Sequence, residues 1–229
     1  MNLLLCVIGV IGALAASSCA GRHRTEGTAP GAHAAPIDVL IEAPDPPVTA
    51  TAAWAQSLAP LRFVNTRTRA DCYARVYRAD GSLDEVAASM IDAALTERDA
   101  ASRPLNRRLL KLVTKAAAHF GAAEVSVVSS FRDSARDGSR HRSGEAIDFR
   151  LPGVPAAALA AYLRAGARVG VGMYTHKRTQ FVHLDVREQS YHWTDASPPG
   201  MSWRERRLTD RGAPARDAAY WPEQDLPNA

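Results

Sequence analysis

The sequence predicts an α+β domain in which a small antiparallel sheet is flanked by helices. Short runs such as residues 146–150 and 181–186 alternate apolar and polar side chains, which is typical of half-buried strands. Residues 106–120 instead repeat their apolar side chains with the spacing of a helix. The chain has 229 residues, of which 46% are hydrophobic, and this is enough to fill the core of one ordinary domain. We therefore expect one folded domain over residues 59–197.

The N-terminal residues have the features of an export signal. An apolar run over residues 3–16 is followed by small residues and Cys19, so we assign residues 1–18 to a signal peptide. The run is shorter than the roughly 20 apolar residues that a membrane-spanning helix needs. Residues 16–19, Ala-Ser-Ser-Cys, resemble a bacterial lipoprotein processing site, which predicts an exported protein with a lipid anchor at Cys19. The alternative is cleavage near residues 13–15, which would leave a periplasmic protein without a lipid.

Two segments flank the expected domain. Residues 19–58 are rich in Ala and Pro and cannot easily bury a core, so we interpret them as a linker. Residues 198–229 are charged and lack an apolar period, which predicts a C-terminal tail. The 28 basic and 24 acidic residues leave a formal charge of +4. Such a small excess describes a solvated surface, and we expect no nucleic-acid partner.

Local signals divide the expected domain into elements. Residues 61–65 and 71–77 are strand-like runs joined by a polar turn, and they predict a hairpin. Ser82, with Glu85 three residues later, is the predicted cap of a helix that ends near residue 98. The predicted apolar face of this helix consists of Val86, Met90, Ile91 and Leu95. A second helix, a Val-rich strand and a third helix are predicted at residues 106–120, 124–129 and 155–163.

Three side chains form a candidate metal site. His141 precedes a Gly-containing turn, and in the following strand the two-residue period places Asp148 on the face opposite Ile147 and Phe149. The same period directs His183 away from the apolar face of its own strand. A set of two histidines and one aspartate leaves the fourth position of a tetrahedral zinc ion open to water, as in catalytic rather than structural sites. We therefore predict zinc bound by His141, Asp148 and His183.

The arrangement of these residues resembles a known family. Residues 139–148 have the pattern Ser-x-His-x-x-Gly-x-Ala-x-Asp, and Phe-Val-His-Leu-Asp follows at residues 181–185. This pattern is similar to the zinc D-alanyl-D-alanine peptidase superfamily, which includes the hedgehog-type domains, and within it to the murein endopeptidase branch. Residues 129–132, 61–68 and 170–174 also resemble segments of that branch. The resemblance extends over roughly residues 59–195.

The resemblance implies a hedgehog-like fold and an exported zinc peptidase that hydrolyses peptide bonds of bacterial peptidoglycan. Peptidoglycan peptides are the implied partner. Two alternatives stay open: a cell-wall binding or regulatory module that keeps the fold without cleaving, and a D-Ala-D-Ala dipeptidase. The branch also carries an arginine where this chain has Arg132, just past the Val-rich strand. Because a guanidinium group suits carboxylate recognition, we expect Arg132 to hold a carboxylate or carbonyl of the substrate.

The general base is less clearly marked than the metal ligands. Many relatives have an acid or a histidine two or three residues before the second metal histidine, and residues 179–181 here are Thr-Gln-Phe. Asp185 is the nearest acid and shares the predicted face of His183, so it is either the base or the residue that orients His183. Glu145 and His176 are the remaining candidates for the base.

Overall fold

The computed structural model describes residues 50–96, 103–132, 138–201 and 204–228, with side chains from residue 53 onward. The predicted signal peptide, Cys19 and all but the end of the predicted linker lie outside these ranges. Within them, no helix is long and apolar enough to cross a membrane.

Most of the predicted helices are present among the described residues. The described helices are α1 (Ala50–Ser57), α2 (Glu85–Leu95), α3 (Arg107–His119), α4 (Ala156–Arg164) and α5 (Ala213–Ala218), followed by a short 3-10 helix (Pro222–Asp225). The predictions at residues 106–120 and 155–163 are confirmed to within one residue by α3 and α4.

Helix α2 differs from its prediction in both cap and buried face. Asp84, not Ser82, is the N-cap, and its carboxylate accepts hydrogen bonds from the backbone amides of Val86 and Ala87. The helix buries Ala87, Ala88, Ile91 and Leu95. Val86 and Met90, predicted to be buried, are 66% and 50% exposed. The two alanines offer a flatter surface for packing on the sheet, and the helix is rotated so that they face it.

The described strands form one eight-stranded sheet. They are β1 (Leu61–Asn65), β2 (Asp71–Ala74), β3 (Glu124–Ser129), β4 (Ala146–Arg150), β5 (Val169–Tyr174), β6 (Val182–Val186), β7 (Tyr191–Asp195) and β8 (Glu205–Leu208). Their spatial order is β2-β1-β3-β4-β6-β5-β7-β8. The pairs β1–β3 and β5–β7 are parallel and the others are antiparallel.

The predicted α+β class is compatible with this architecture, but the prediction of a small, antiparallel sheet is wrong. The chain leaves β1 and returns through α2 and α3 before it forms β3, and a crossover of this kind makes neighbouring strands parallel. The sequence predicts no strand at β5 or β7, and it places β8 in a tail, so three strands are missed.

The core lies between one face of the sheet and the helices. Ile147, Phe149, Val182 and Leu184 are fully buried in it, as the alternation along β4 and β6 predicts. Helix α2 contacts β1 and β2, α3 contacts β3 and β6, and α4 contacts β5 and β6. The alternate side chains of β4 and β6 therefore lie on the opposite face, where the candidate site is built.

Residues 204–228, within the predicted tail, contain β8, α5 and the 3-10 helix. Buried carboxylates attach these short elements to the rest of the fold. Asp217 accepts hydrogen bonds from the backbone amides of Arg168 and Ser190. Asp225 accepts one from Arg108 in α3 at 2.8 Å. Because polar contacts hold the segment, its sequence shows no apolar period.

Candidate metal centre

The pairing of β4 with β6 brings two of the predicted ligands face to face. In this antiparallel pair, Asp148 lies directly opposite His183, and Ala146 lies opposite Asp185. Side chains of directly opposite residues project to the same face of a sheet. The Asp148 Oδ1 and His183 Nδ1 atoms are 2.8 Å apart. The register of two strands is thus sufficient to place a carboxylate against an imidazole.

The loop before β4 supplies the third side chain. His141 Nε2 lies 3.2 Å from His183 Nδ1 and 3.5 Å from Asp148 Oδ1. The turn after His141 depends on Gly144, whose φ is +75° and where a Cβ atom would lie 2.6 Å from the carbonyl oxygen of Pro104. One ligand atom from each of the three residues lies within 4.8 Å of the others, and all three side chains are buried. This group could hold a metal ion.

Hydrogen bonds fix which nitrogen of each imidazole can act as a ligand. His141 Nδ1 lies 2.7 Å from the carbonyl oxygen of Ser130, which can only accept, so Nδ1 carries the proton and Nε2 presents its lone pair. His183 Nε2 lies 3.0 Å from Asp185 Oδ2 and donates to that carboxylate, so Nδ1 is the ligand atom. Both of these nitrogens, His141 Nε2 and His183 Nδ1, face Asp148 Oδ1.

Without a metal ion, the charges around His183 favour a proton on this imidazole, where a cation could otherwise bind. Burial alone would raise the pKa of Asp148, but the charge of His141 and hydrogen bonds with both imidazoles outweigh it and hold that pKa well below its ordinary value. Burial would lower the pKa of His183, but hydrogen bonds to Asp148 and Asp185 raise it to about 9. A metal ion that binds here must displace the proton on His183.

Hydrogen bonds and ion pairs surround the carboxylate of Asp185. It is 1% exposed; Oδ2 faces His183, and Arg187 donates from Nε to Oδ1 at 2.6 Å and from Nη2 to Oδ2 at 2.5 Å. Arg140 Nε lies 3.4 Å from Oδ1. Burial opposes ionisation of this carboxyl, but the hydrogen bonds with His183 and Arg187 prevail and lower its pKa. A side chain at Gly170 in β5 would overlap the Asp185 carboxylate. These contacts enclose the carboxylate and join it to His183.

An aromatic wall closes one side of the centre. Trp193 in β7 packs over Gly172, where any side chain would collide with the indole ring. Its ring centroid lies 5.0 Å from that of His183, and the side chain is almost fully buried. The glycines of β5 thus leave space for both the Asp185 carboxylate and the indole beside His183.

The comparison with known families agrees with this geometry. A family model described as peptidoglycan L,D-endopeptidase MepK matches residues 52–193, which is more than half of the chain. The chain belongs to this family. The predicted resemblance to the murein endopeptidase branch is thereby confirmed. No curated protein and no solved structure matches the chain.

Arg132 of this MepK-family chain lies beside the centre along the backbone. Its amide donates to the carbonyl oxygen of His141 at 3.2 Å. Its Nε atom is buried and has no hydrogen-bond partner among the described residues. A buried guanidinium nitrogen without a partner is costly, and a substrate oxygen could satisfy it.

Glu145 and His176, the other candidate bases, have partners outside the ligand group. The Glu145 carboxylate accepts from Arg140 and from Ser143, each at 3.0 Å. His176 lies in the loop before β6, where its Nδ1 accepts from the backbone amide of Arg178. Both side chains are partly exposed, in contrast to Asp185.

Sequence reasoning missed the residues that hold the ligands in place. The sequence analysis predicts no role for Arg140, for Arg187 or for the carbonyl group of Ser130. A signal existed for Arg187, because the two-residue period that joins His183 to Asp185 continues to it. No comparable signal marks the Ser130 carbonyl, since any residue has one.

Proposed function

We propose that this chain is an exported zinc metallopeptidase that hydrolyses an L,D peptide bond in bacterial peptidoglycan. The observation that carries the proposal is the convergence of His141, Asp148 and His183 in one buried group within a chain of the MepK family. The family description supports the substrate and the bond. The sequence of residues 1–18 supports export.

The three side chains fit a catalytic zinc ion. Two imidazoles and one carboxylate suit zinc, and three protein ligands leave a coordination position for water or substrate. When bound, zinc supplies a water of lowered pKa and polarises the carbonyl group of the scissile amide. His141 would contribute Nε2, His183 Nδ1 and Asp148 its Oδ1, as the hydrogen bonds of the two imidazoles require.

The remaining residues of the site orient a ligand or position the substrate. Asp185 keeps the Nε2 proton of His183 in place, and its two oxygens are occupied by His183, Arg187 and Arg140. A carboxylate so enclosed has no oxygen directed at a substrate water, so we assign it the orienting role. We assign Arg132, with its unpartnered buried nitrogen, to a carboxylate or carbonyl of the peptide.

Proton transfer then needs a second group. Glu145 and His176 are the two candidates, because both are partly exposed and can exchange protons with solvent. Glu145 has the closer connection to the centre, since Arg140 contacts both its carboxylate and that of Asp185. The variants Glu145→Gln and His176→Gln separate the two: loss of turnover with retained zinc identifies the base.

We further propose that the exported protein is anchored to a membrane by a lipid on Cys19, with residues 20–58 as a tether. The proposal is supported by the Ala-Ser-Ser-Cys sequence after the apolar run. A domain on such a tether can reach peptidoglycan at some distance from its anchor.

The function is tested on purified peptidoglycan sacculi. The chain is incubated with them in the presence of zinc, and the released muropeptides are identified by mass spectrometry. We expect cleavage of L,D bonds in cross-linked material, no cleavage by His183→Ala, and normal cleavage by His119→Ala, whose exposed ring at the end of α3 stacks on Tyr162.

Two other products of the same experiment would contradict the proposal. Release of D-Ala-D-Ala from uncross-linked peptides would identify a dipeptidase. Retention of zinc and of sacculus binding without any product would identify a non-catalytic cell-wall module.

A further inference from the structure

The buried carbonyl group of Leu95 accepts hydrogen bonds from two side chains that have no role in the proposed chemistry. Leu95 is the last residue of α2, and the final carbonyl groups of a helix lack partners within it. Asn65 Nδ2 donates to the Leu95 oxygen at 3.3 Å, and Ser130 Oγ donates to it at 3.1 Å. All three residues are buried. Both lone pairs of this oxygen are therefore used by residues of other elements.

These contacts continue to a metal ligand. The backbone carbonyl of Ser130 accepts the Nδ1 proton of His141 at 2.7 Å. Ser130 lies one residue beyond Ser129, the last β3 residue paired with β4, so the sheet ladder does not hold its peptide group. The bond from its hydroxyl to Leu95 ties Ser130 to the end of α2 and so helps to fix this peptide group.

Asn65 is the second donor to the Leu95 carbonyl oxygen. It ends β1, and its Oδ1 accepts from the backbone amides of Arg67 and Thr68 at 3.0 and 3.2 Å. Its side chain thus has two separable functions: Oδ1 closes the turn after β1, and Nδ2 binds the end of α2. The polar path runs from the turn, through Leu95 and Ser130, to His141.

We propose that Asn65 and Ser130 are positioning residues that hold the His141 imidazole, through the Leu95 carbonyl, in the orientation that directs Nε2 toward Asp148 and His183. This inference rests on the proposed function, because it takes a metal ion to be the ligand of His141. If the Ser130 peptide rotates, Nδ1 loses its acceptor, and the imidazole can turn or exchange tautomers. Partners that orient metal-binding histidines typically contribute about 10 to 100-fold in metal affinity.

Matched variants separate positioning from general stability. Asn65→Asp keeps an oxygen for the turn amides but replaces the donor to Leu95 by an acceptor, and Ser130→Ala removes one hydroxyl. Ser130→Thr keeps the hydroxyl and serves as the conservative rescue. Ser126→Ala, whose hydroxyl bonds Glu124 on the same strand, and Thr68→Ala, whose hydroxyl bonds the Ala70 amide in the same turn, are the controls.

The measurement is the affinity of the full chain for zinc and for cobalt(II), by competition with a chelator. Imidazole NMR of the metal-free chain reports the tautomer of His141. We expect about 10 to 100-fold weaker metal binding and a disturbed cobalt spectrum for Asn65→Asp and Ser130→Ala. Ser130→Thr, Ser126→Ala and Thr68→Ala should bind as the unmodified chain does.

The outcomes distinguish this inference from the proposed function. If Asn65→Asp and Ser130→Ala bind both metals normally and His141 keeps its tautomer, the positioning role is refuted even if the chain cleaves peptidoglycan. If both variants lose affinity in a chain that cleaves no peptidoglycan, the positioning role stands and the proposed function fails. Should Asn65→Asp not fold, Ser130→Ala with its threonine rescue decides alone.

Discussion

Replacement of Asp185 by Asn tests the role of the most enclosed side chain in the centre. The change removes one charge while it preserves shape. In the folded chain, the carboxylate accepts from His183 on one oxygen and from Arg187 on both. An amide has one oxygen, so its NH₂ group must face either His183 Nε2–H or the Arg187 guanidinium. With the residue 1% exposed, water cannot relieve this contact between donors.

The magnitude follows from those contacts. A buried donor without an acceptor costs about 1–3 kcal/mol, and more beside a charged group, so we expect Asp185→Asn to lower the free energy of unfolding by at least that amount. Loss of the partner that orients His183 should weaken zinc binding by about 10 to 100-fold. Activity should then recover when zinc is added in excess. A residue acting as the base would behave differently, with normal zinc affinity and turnover reduced by about 10² to 10⁴.

The assay combines zinc titration by chelator competition with muropeptide turnover at low and saturating zinc. Weak zinc binding together with activity that excess zinc restores supports the orienting role. Normal affinity with a turnover defect that zinc does not relieve would refute it and return the base to Asp185. Normal values for both would exclude both roles.

Three further predictions concern Gly170, His183 and Cys19. Gly170→Ala should destabilise the chain by about 1–3 kcal/mol in denaturant unfolding, because its methyl group overlaps the Asp185 carboxylate; unchanged stability would show that the pair can move aside. Because His183 has a pKa raised to about 9 without metal, its proton is bound below that pH and must be displaced. Apparent zinc affinity, followed by calorimetry, should therefore fall by up to about tenfold per pH unit below 9 and level off above it; a flat profile from pH 6 to 9 would contradict this. Cys19→Ala should move the protein from the membrane to the soluble exported fraction, and an unmodified Cys19 in the mass spectrum of the unaltered protein would rule out the anchor.

The grouping of His141, Asp148 and His183 was predictable because much of it depends on local patterns. A two-residue period fixes the face on which Asp148, His183 and Asp185 lie, and the apolar residues between them fix which face is buried. The register that sets Asp148 opposite His183 needs only the pairing of two strands. The alternation within each strand is a short-range property that a single sequence shows, although the pairing itself joins residues 35 positions apart.

The parts that were missed depend on long-range contacts. Arg140 meets Asp185 across 45 positions of sequence, and Ser130 meets Leu95 across 35, so no local pattern announces either pair. Strand β8 is an edge strand with three exposed residues in four, which leaves no alternation to detect. The face of α2 could not be predicted because two small alanines, rather than Val86 and Met90, proved to fit the sheet.

The zinc content of the purified chain tests the central claim most directly. Elemental mass spectrometry should find about one zinc ion per chain, because the three ligands form a single metal site. The double variant His141→Ala with His183→Ala should contain none, while His119→Ala should retain it. Full zinc occupancy in the double variant would contradict the assignment of the centre to His141, Asp148 and His183.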